Sequence, residues 1–175
     1  MANDDPARLA EEGKRAYQDG DYDQAAELFR RAAQGYSLAN DGLMAAEMKN
    51  NLSVALLQGK KPQDALDAAL GTDEVFADAH DLKRQAMALG NQAAALEALK
   101  RNDEALAAYE RSAELFGQAG EGDMRAMVKK SAAAIRLKRG EVVGSALNMV
   151  GSIEAKEHPS LIERILKFFV RLKPW

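Results

Sequence analysis

His80 and His158 are the only histidines in this 175-residue chain, and it has no cysteine. A zinc centre needs three or four His, Cys or carboxylate ligands at short, regular spacing, and neither histidine has such a neighbour. The lack of cysteine removes thiolate metal sites, cysteine nucleophiles and disulfides together. No GxxxxGK[ST] loop is present to cradle a phosphate, and no GxSxG elbow to expose a nucleophilic serine. The acidic pairs Asp4-Asp5 and Glu11-Glu12 read as helix first-turn or solvated residues, not as a general acid–base pair. His80 falls near a turn and His158 precedes a proline, so both are expected at the surface. These residues predict a protein that is not an enzyme and holds no metal or cofactor.

The elements that would position any site announce themselves by repetition. Ala25, Ala65 and Ala105 are forty residues apart, as are Tyr36, Phe76 and Phe116, then Ala39, Ala79 and Ala119, then Asp41, Asp81 and Glu121. Small residues recur where helices approach closely, aromatics where a gap must be filled, and acids near a helix start, where the dipole favours them. A period of this length marks a stacked array in which no repeat buries its apolar face alone. Such arrays present surfaces to partners.

Composition agrees with helices. Alanine and leucine are abundant, there are 4 prolines, and hydrophobic residues make up 47% of the chain. The acidic start MANDDPARLAEEG has no apolar core segment and is not a secretory signal, and no stretch reaches the roughly 18 apolar residues of a spanning helix. A soluble, cytoplasmic protein is the expectation. Charge is uneven: 159–175 carries four basic side chains against one acidic, while the rest of the chain is acidic. An acidic body argues against nucleic acid as a partner, since phosphate contacts need a basic stripe.

Pro6 after Asp5 opens the first helix, with apolar periodicity from Leu9 to Tyr17, and Asp19-Gly20-Asp21 breaks it. The second helix carries Ala25, Leu28, Phe29, Ala32 and Tyr36 on one face. After Asn40-Asp41-Gly42 the third runs from about Leu43 to Gln58, and Pro62 opens the fourth. The next runs from about Asp78 to Lys100, another from Asn102-Asp103 to Phe116, then a loop over Gly117 to Gly122. Helices over Asp123–Arg139 and Glu141–Ala155 complete the series. Gly71-Thr72 falls inside the second helix of the second unit, and Thr72-Asp73-Glu74 reads as a fresh N-cap, so a kink or break is expected there.

GDYDQAAELFRRAA at 20–33 resembles the second helix of a tetratricopeptide (TPR) repeat, and KNNLSVALLQGKKPQDAL at 49–66 resembles the first helix and turn of one. The small residue of the second helix is matched by Ala25, Ala65, Ala105 and Ala146. The large residue four positions on is matched by Phe29, Tyr109 and Val150, with Ala69 departing from it. The variable first-helix position is matched by Gly13, Ser53, Ala93 and Ala134. The resemblance covers about residues 6–155 in four units, the last at a spacing of forty-one, and the long period is similar to that of kinesin light chains. It implies an all-α fold, a right-handed α–α superhelix (TPR-like solenoid) with a C-terminal capping helix, with 1–157 as the array and 158–175 as a basic amphipathic helix. The carboxylate clamp of chaperone-binding relatives does not carry over: its positions fall on Ala10, Lys14, Asn51, Met87 and Asn91, of which only Asn51 matches. The groove that such arrays use would be lined by Lys14, Tyr17 and Gln18, then Glu47, Asn50, Asn51, Val54 and Leu57, then Met87, Ala94 and Glu97, then Ser131, Ile135 and Lys138. It would admit a helix or extended peptide of a protein partner.

Ser160-Leu161-Ile162-Glu163 is a capping box that starts a last helix. Its apolar residues, among them Ile165, Phe168, Phe169 and Leu172, spread over about 200° of the helical wheel, while Arg164, Lys167 and Arg171 share the remainder with Glu163. Three roles are open to it: a cap on the exposed end of the array, an element docked on its own or a second chain, or a helix on an anionic membrane surface. The leading function is a scaffold or adaptor that binds a protein segment; the alternative is a peripheral membrane adaptor anchored by this helix.

Overall fold

The computed structural model describes residues 5–138 and 140. They contain the helices α1 (Pro6–Gln18), α2 (Tyr22–Leu38), α3 (Gly42–Gln58), α4 (Pro62–Ala69), α5 (Thr72–Asp78), α6 (Leu82–Ala98), α7 (Asn102–Gln118) and α8 (Gly122–Lys138). The chain divides into a unit over Met1–Ala132 and a second over Ala133–Trp175. The second begins within α8, and its described part is the end of that helix and Gly140. No described helix is long and apolar enough to cross a membrane. The expected helix over Glu141–Ala155, the positions Ala146 and Val150, His158, and the tail with Ile165, Phe168, Phe169 and Leu172 lie outside the described residues.

The forty-residue echo resolves into two twenty-residue steps. Helices α2, α3, α6, α7 and α8 are each 17 residues long, α4 and α5 together fill one step between α3 and α6, and three residues separate each step from the next. The middle residue of each turn has positive φ: Gly20, Asn40, Lys60, His80, Lys100 and Gly120. In each, the following N–H closes onto a carbonyl five residues back, as in Asp21 N to Ala16 O and Asp81 N to Phe76 O, both 2.9 Å. This is the Schellman closure that satisfies orphan carbonyls at a helix end. The third turn residue begins the next helix, and Asp21, Asp41 and Asp81 accept from the backbone N–H of Gln24, Met44 and Arg84. Arg84 N–H, then its guanidinium, holds the Asp81 carboxyl below its ordinary value.

These turns correct three expectations. Helix α6 starts at Leu82, not near Asp78, because His80 takes the left-handed turn position despite the cost to a residue with a Cβ. The loop expected over Gly117–Gly122 is shorter: α7 continues to Gln118 and α8 begins at Gly122, which leaves a turn of three residues, 119–121. Ala39, Ala79 and Ala119 are helix C-caps, the first two exposed, and are not points of close helix approach.

Packing follows the register elsewhere. Ala25, Ala65 and Ala105 are each 0% exposed. Gly13 of α1 lies so close to α2 that a Cβ there would stand 2.9 Å from the Phe29 ring. At the corresponding points, Ser53 and Ala69, then Ala93 and Tyr109, are buried pairs of differing size. Ser53 Oγ alone has no hydrogen-bond partner among the buried side-chain atoms of the described residues. Ser53→Ala should therefore raise stability by about 1 kcal/mol, through loss of an unsatisfied hydroxyl and better helix propensity. Urea denaturation checks this; a destabilised variant would show the hydroxyl to be paired.

The break between α4 and α5 is present. Leu70 is extended at ψ 134°, Gly71 has φ +76°, and α5 starts afresh. Gly71 is the N-cap, however, and Thr72 is the first helical residue. Its buried Oγ1 lies 2.7 Å from the Ala69 carbonyl and 3.0 Å from the Asn50 amide oxygen. One hydroxyl proton cannot serve two acceptors; turned end for end, the Asn50 amide donates to Oγ1 while Oγ1 donates to Ala69. Gln92 of α6 also donates to the Ala69 carbonyl and to Asp73. Neighbouring helices thus supply the partners that a continuous helix would have supplied.

Candidate functional site

Residues at repeating positions on α1, α3, α6 and α8 border two hollows. The first, about 210 Å³, is lined by Lys14, Tyr17 and Gln18 of α1, Phe29 of α2, and Asn51 and Val54 of α3. Tyr17 packs against Tyr22 with ring centroids 5.4 Å apart. Lys14 donates to Glu11 at 2.7 Å, and that hydrogen bond raises its pKa. Both side chains are open to water, so the pair contributes little to stability.

The second hollow, about 250 Å³, lies among α6, α7 and α8. Met87, Gly90, Asn91 and Ala94 come from α6, Tyr109 and Phe116 from α7, and Met124, Met127, Val128 and Ser131 from α8. Its walls are apolar except for the Asn91 amide and one hydroxyl strip. There the Tyr109 hydroxyl donates to Glu97 at 3.1 Å, and Ser131 also hydrogen-bonds the phenol. Burial, and then the Glu97 charge, push the Tyr109 phenol up to about 12, so it stays a neutral donor near neutral pH. Met87 is 40% exposed and Met127 57%. Methionine is flexible and polarizable, which suits walls that must fit an apolar guest.

The remaining expected groove residues are placed otherwise. Glu47 pairs with Arg84 at 3.2 Å, and Arg84 also holds Asp81 at 2.6 Å. Asn50 is buried against Thr72 and faces neither hollow; the break before α5 brings Thr72 to it. Leu57 is half-buried and borders neither hollow. Glu97 serves the second hollow through Tyr109. In the second unit, Ile135 is buried and Lys138 is exposed. A wider hollow of about 580 Å³, lined by residues of α2 and α3 including Leu38 and Lys49, contains none of the expected groove residues.

Phe29, Tyr109 and Phe116 were expected as packing residues and also wall the hollows. Met124, Met127 and Val128 escaped the sequence reading, although Met127 stands forty residues after Met87, and Asn91 and Ser131 continue the series from Asn51. The same register that found the buried alanines contained this signal. Among the described residues no three His, Cys, Asp or Glu side chains converge on a metal-sized site, and His80 is exposed in its turn. The arrangement offers apolar walls, amides and hydroxyls, which suit binding. No protein-family model matches the sequence, and no curated protein matches it.

Proposed function

We propose that the chain is a tetratricopeptide-like scaffold, a right-handed superhelix closed by its C-terminal helix, that acts in the cytoplasm by holding a segment of another protein. The observation that carries this reading is the return of the same repeat positions at successive hollows: Asn51 at the first, then Asn91 and Ser131 at the second, with Met87 and Met127 paired across the latter. A helix or extended peptide lying along the first-helix face would place an apolar side chain in the α6–α8 hollow. The amides and the Tyr109 hydroxyl would meet its polar groups.

A photoreactive benzoylphenylalanine placed at Ala94 in the full chain should cross-link a partner segment in the native cell, whereas the same group at exposed Leu38 should not. Ala94→Arg should then weaken binding of that segment on the order of tenfold or more, with the circular dichroism spectrum unchanged. Cross-linking from Leu38 alone, or full affinity in Ala94→Arg, would overturn the reading.

A further inference from the structure

All the sulfur of this chain is thioether: it has 7 methionines and no cysteine. Peroxide chemistry at sulfur must therefore fall on methionine, and exposure decides which ones react. Among the described residues the gradient is steep. Met127 is 57% exposed and Met87 40%, whereas Met48 is 1% exposed. Met127 and Met87 both belong to the α6–α8 hollow, and half-buried Met124 lines it as well.

We propose that Met87 and Met127 are peroxide-modified sites, and that their conversion to sulfoxide closes the α6–α8 hollow to apolar guests. In the reaction, a thioether lone pair attacks one peroxide oxygen. The S–O bond forms as the O–O bond breaks, sulfur loses two electrons, and the proton of the attacked oxygen passes to the departing oxygen, which leaves as water. The product replaces a soft apolar wall with a strong dipole that seeks water or a hydrogen-bond donor. The hollow is otherwise walled by Ala94, Phe116 and Val128, with Asn91, Tyr109 and Ser131 as its polar lining. A sulfoxide dipole there draws water or one of those polar groups to itself, and either takes the space of an apolar guest. Two hydroxyls line the hollow and each is already engaged: Tyr109 donates to Glu97, and Ser131 hydrogen-bonds the Tyr109 phenol. The inference rests on the reading of this hollow as an apolar binding site.

The test uses the full chain, hydrogen peroxide, and anilinonaphthalene sulfonate, a dye that fluoresces in apolar surroundings. Peptide mass spectrometry along a peroxide time course should show Met127 and Met87 oxidised about tenfold faster than Met48. Dye affinity should fall on the order of tenfold as those two sulfoxides accumulate. In a variant carrying Met87→Leu, Met124→Leu and Met127→Leu, the walls stay apolar and peroxide should leave dye affinity unchanged. Equal oxidation of Met48, unchanged affinity after full oxidation of Met87 and Met127, or an equal loss in the leucine variant would each overturn the proposal. Ala94→Phe, which fills the hollow, separates the two levels of inference. If it binds dye as well as the unmodified protein, or the latter binds none, the reading of the hollow fails and the proposal with it. If only the peroxide response is missing, the hollow stands and the modification alone fails.

Discussion

Replacing Phe76 with alanine should destabilise the protein by about 3–5 kcal/mol. The ring is 0% exposed and fills the space beside Ala46 of α3, Ala88 of α6 and Val75. Two of those neighbours are alanines on long helices, with no side chain long enough to fall into the cavity. The Arg84 guanidinium lies 5.5 Å from the ring centre, but Asp81 and Glu47 hold it, so it too is tethered away from the vacated space. Collapse is therefore blocked from three sides, which places the cost toward the upper end for an aromatic deletion. Denaturant titration should show the midpoint falling with an unchanged slope. A loss below about 1 kcal/mol would mean that the ring is not the keystone of the α3–α5–α6 contact.

That prediction depends on the break before α5, and the break shows what the sequence could and could not reveal. Gly71 inside an otherwise helical stretch was legible, because glycine is both a poor helix former and the residue that tolerates positive φ. The role of Thr72 was not. A threonine followed by two acids has the composition of an N-cap, yet its hydroxyl is used by Ala69 and Asn50. Those partners come from the tertiary fold, which local pattern does not encode. The turns tell a similar story. Gly20 and Asn40 are residue types that the left-handed position favours, so their turns are legible. Gly120 marks a turn too, although the loop expected around it is longer than the one present. Lys60, His80 and Lys100 occupy the same position against their preference, and the start of α6 was misjudged where His80 conceals the turn.

The site was legible in its helices more than in its residues. Lys14, Tyr17, Gln18, Asn51, Val54, Met87, Ala94 and Ser131 line the two hollows, because a forty-residue register fixes which face of each first helix is equivalent. Asn50 shows the limit of that logic. It adjoins Asn51, and one helical step of about 100° separates a residue that borders a hollow from one sealed against α5. Only the position of α5 decides which is which. The α8 methionines were missed for a different reason: apolar residues on a helix are read by default as core, and exposure of Met127 becomes visible only in three dimensions.

The register itself admits a sharper test, because the same repeat contains two sets of alanines with opposite fates. Ala105 is 0% exposed in α7, at the position shared with Ala25 and Ala65. Ala79 is the exposed C-cap of α5, at the position shared with Ala39 and Ala119. Both recur every forty residues, so recurrence alone cannot distinguish them; packing does. Ala105→Leu adds three carbons where no space is open, and should cost about 1–3 kcal/mol through off-rotamer side chains and helix displacement. For a protein of this size that is a fall in Tm of roughly 2–12 °C. Ala79→Leu adds the same atoms in water and should change stability by no more than about 0.5 kcal/mol. The paired measurement removes the general effect of introducing leucine and leaves the helix contact. Equal shifts in the two variants, or a neutral Ala105→Leu, would mean that the alanine series does not mark where the helices meet.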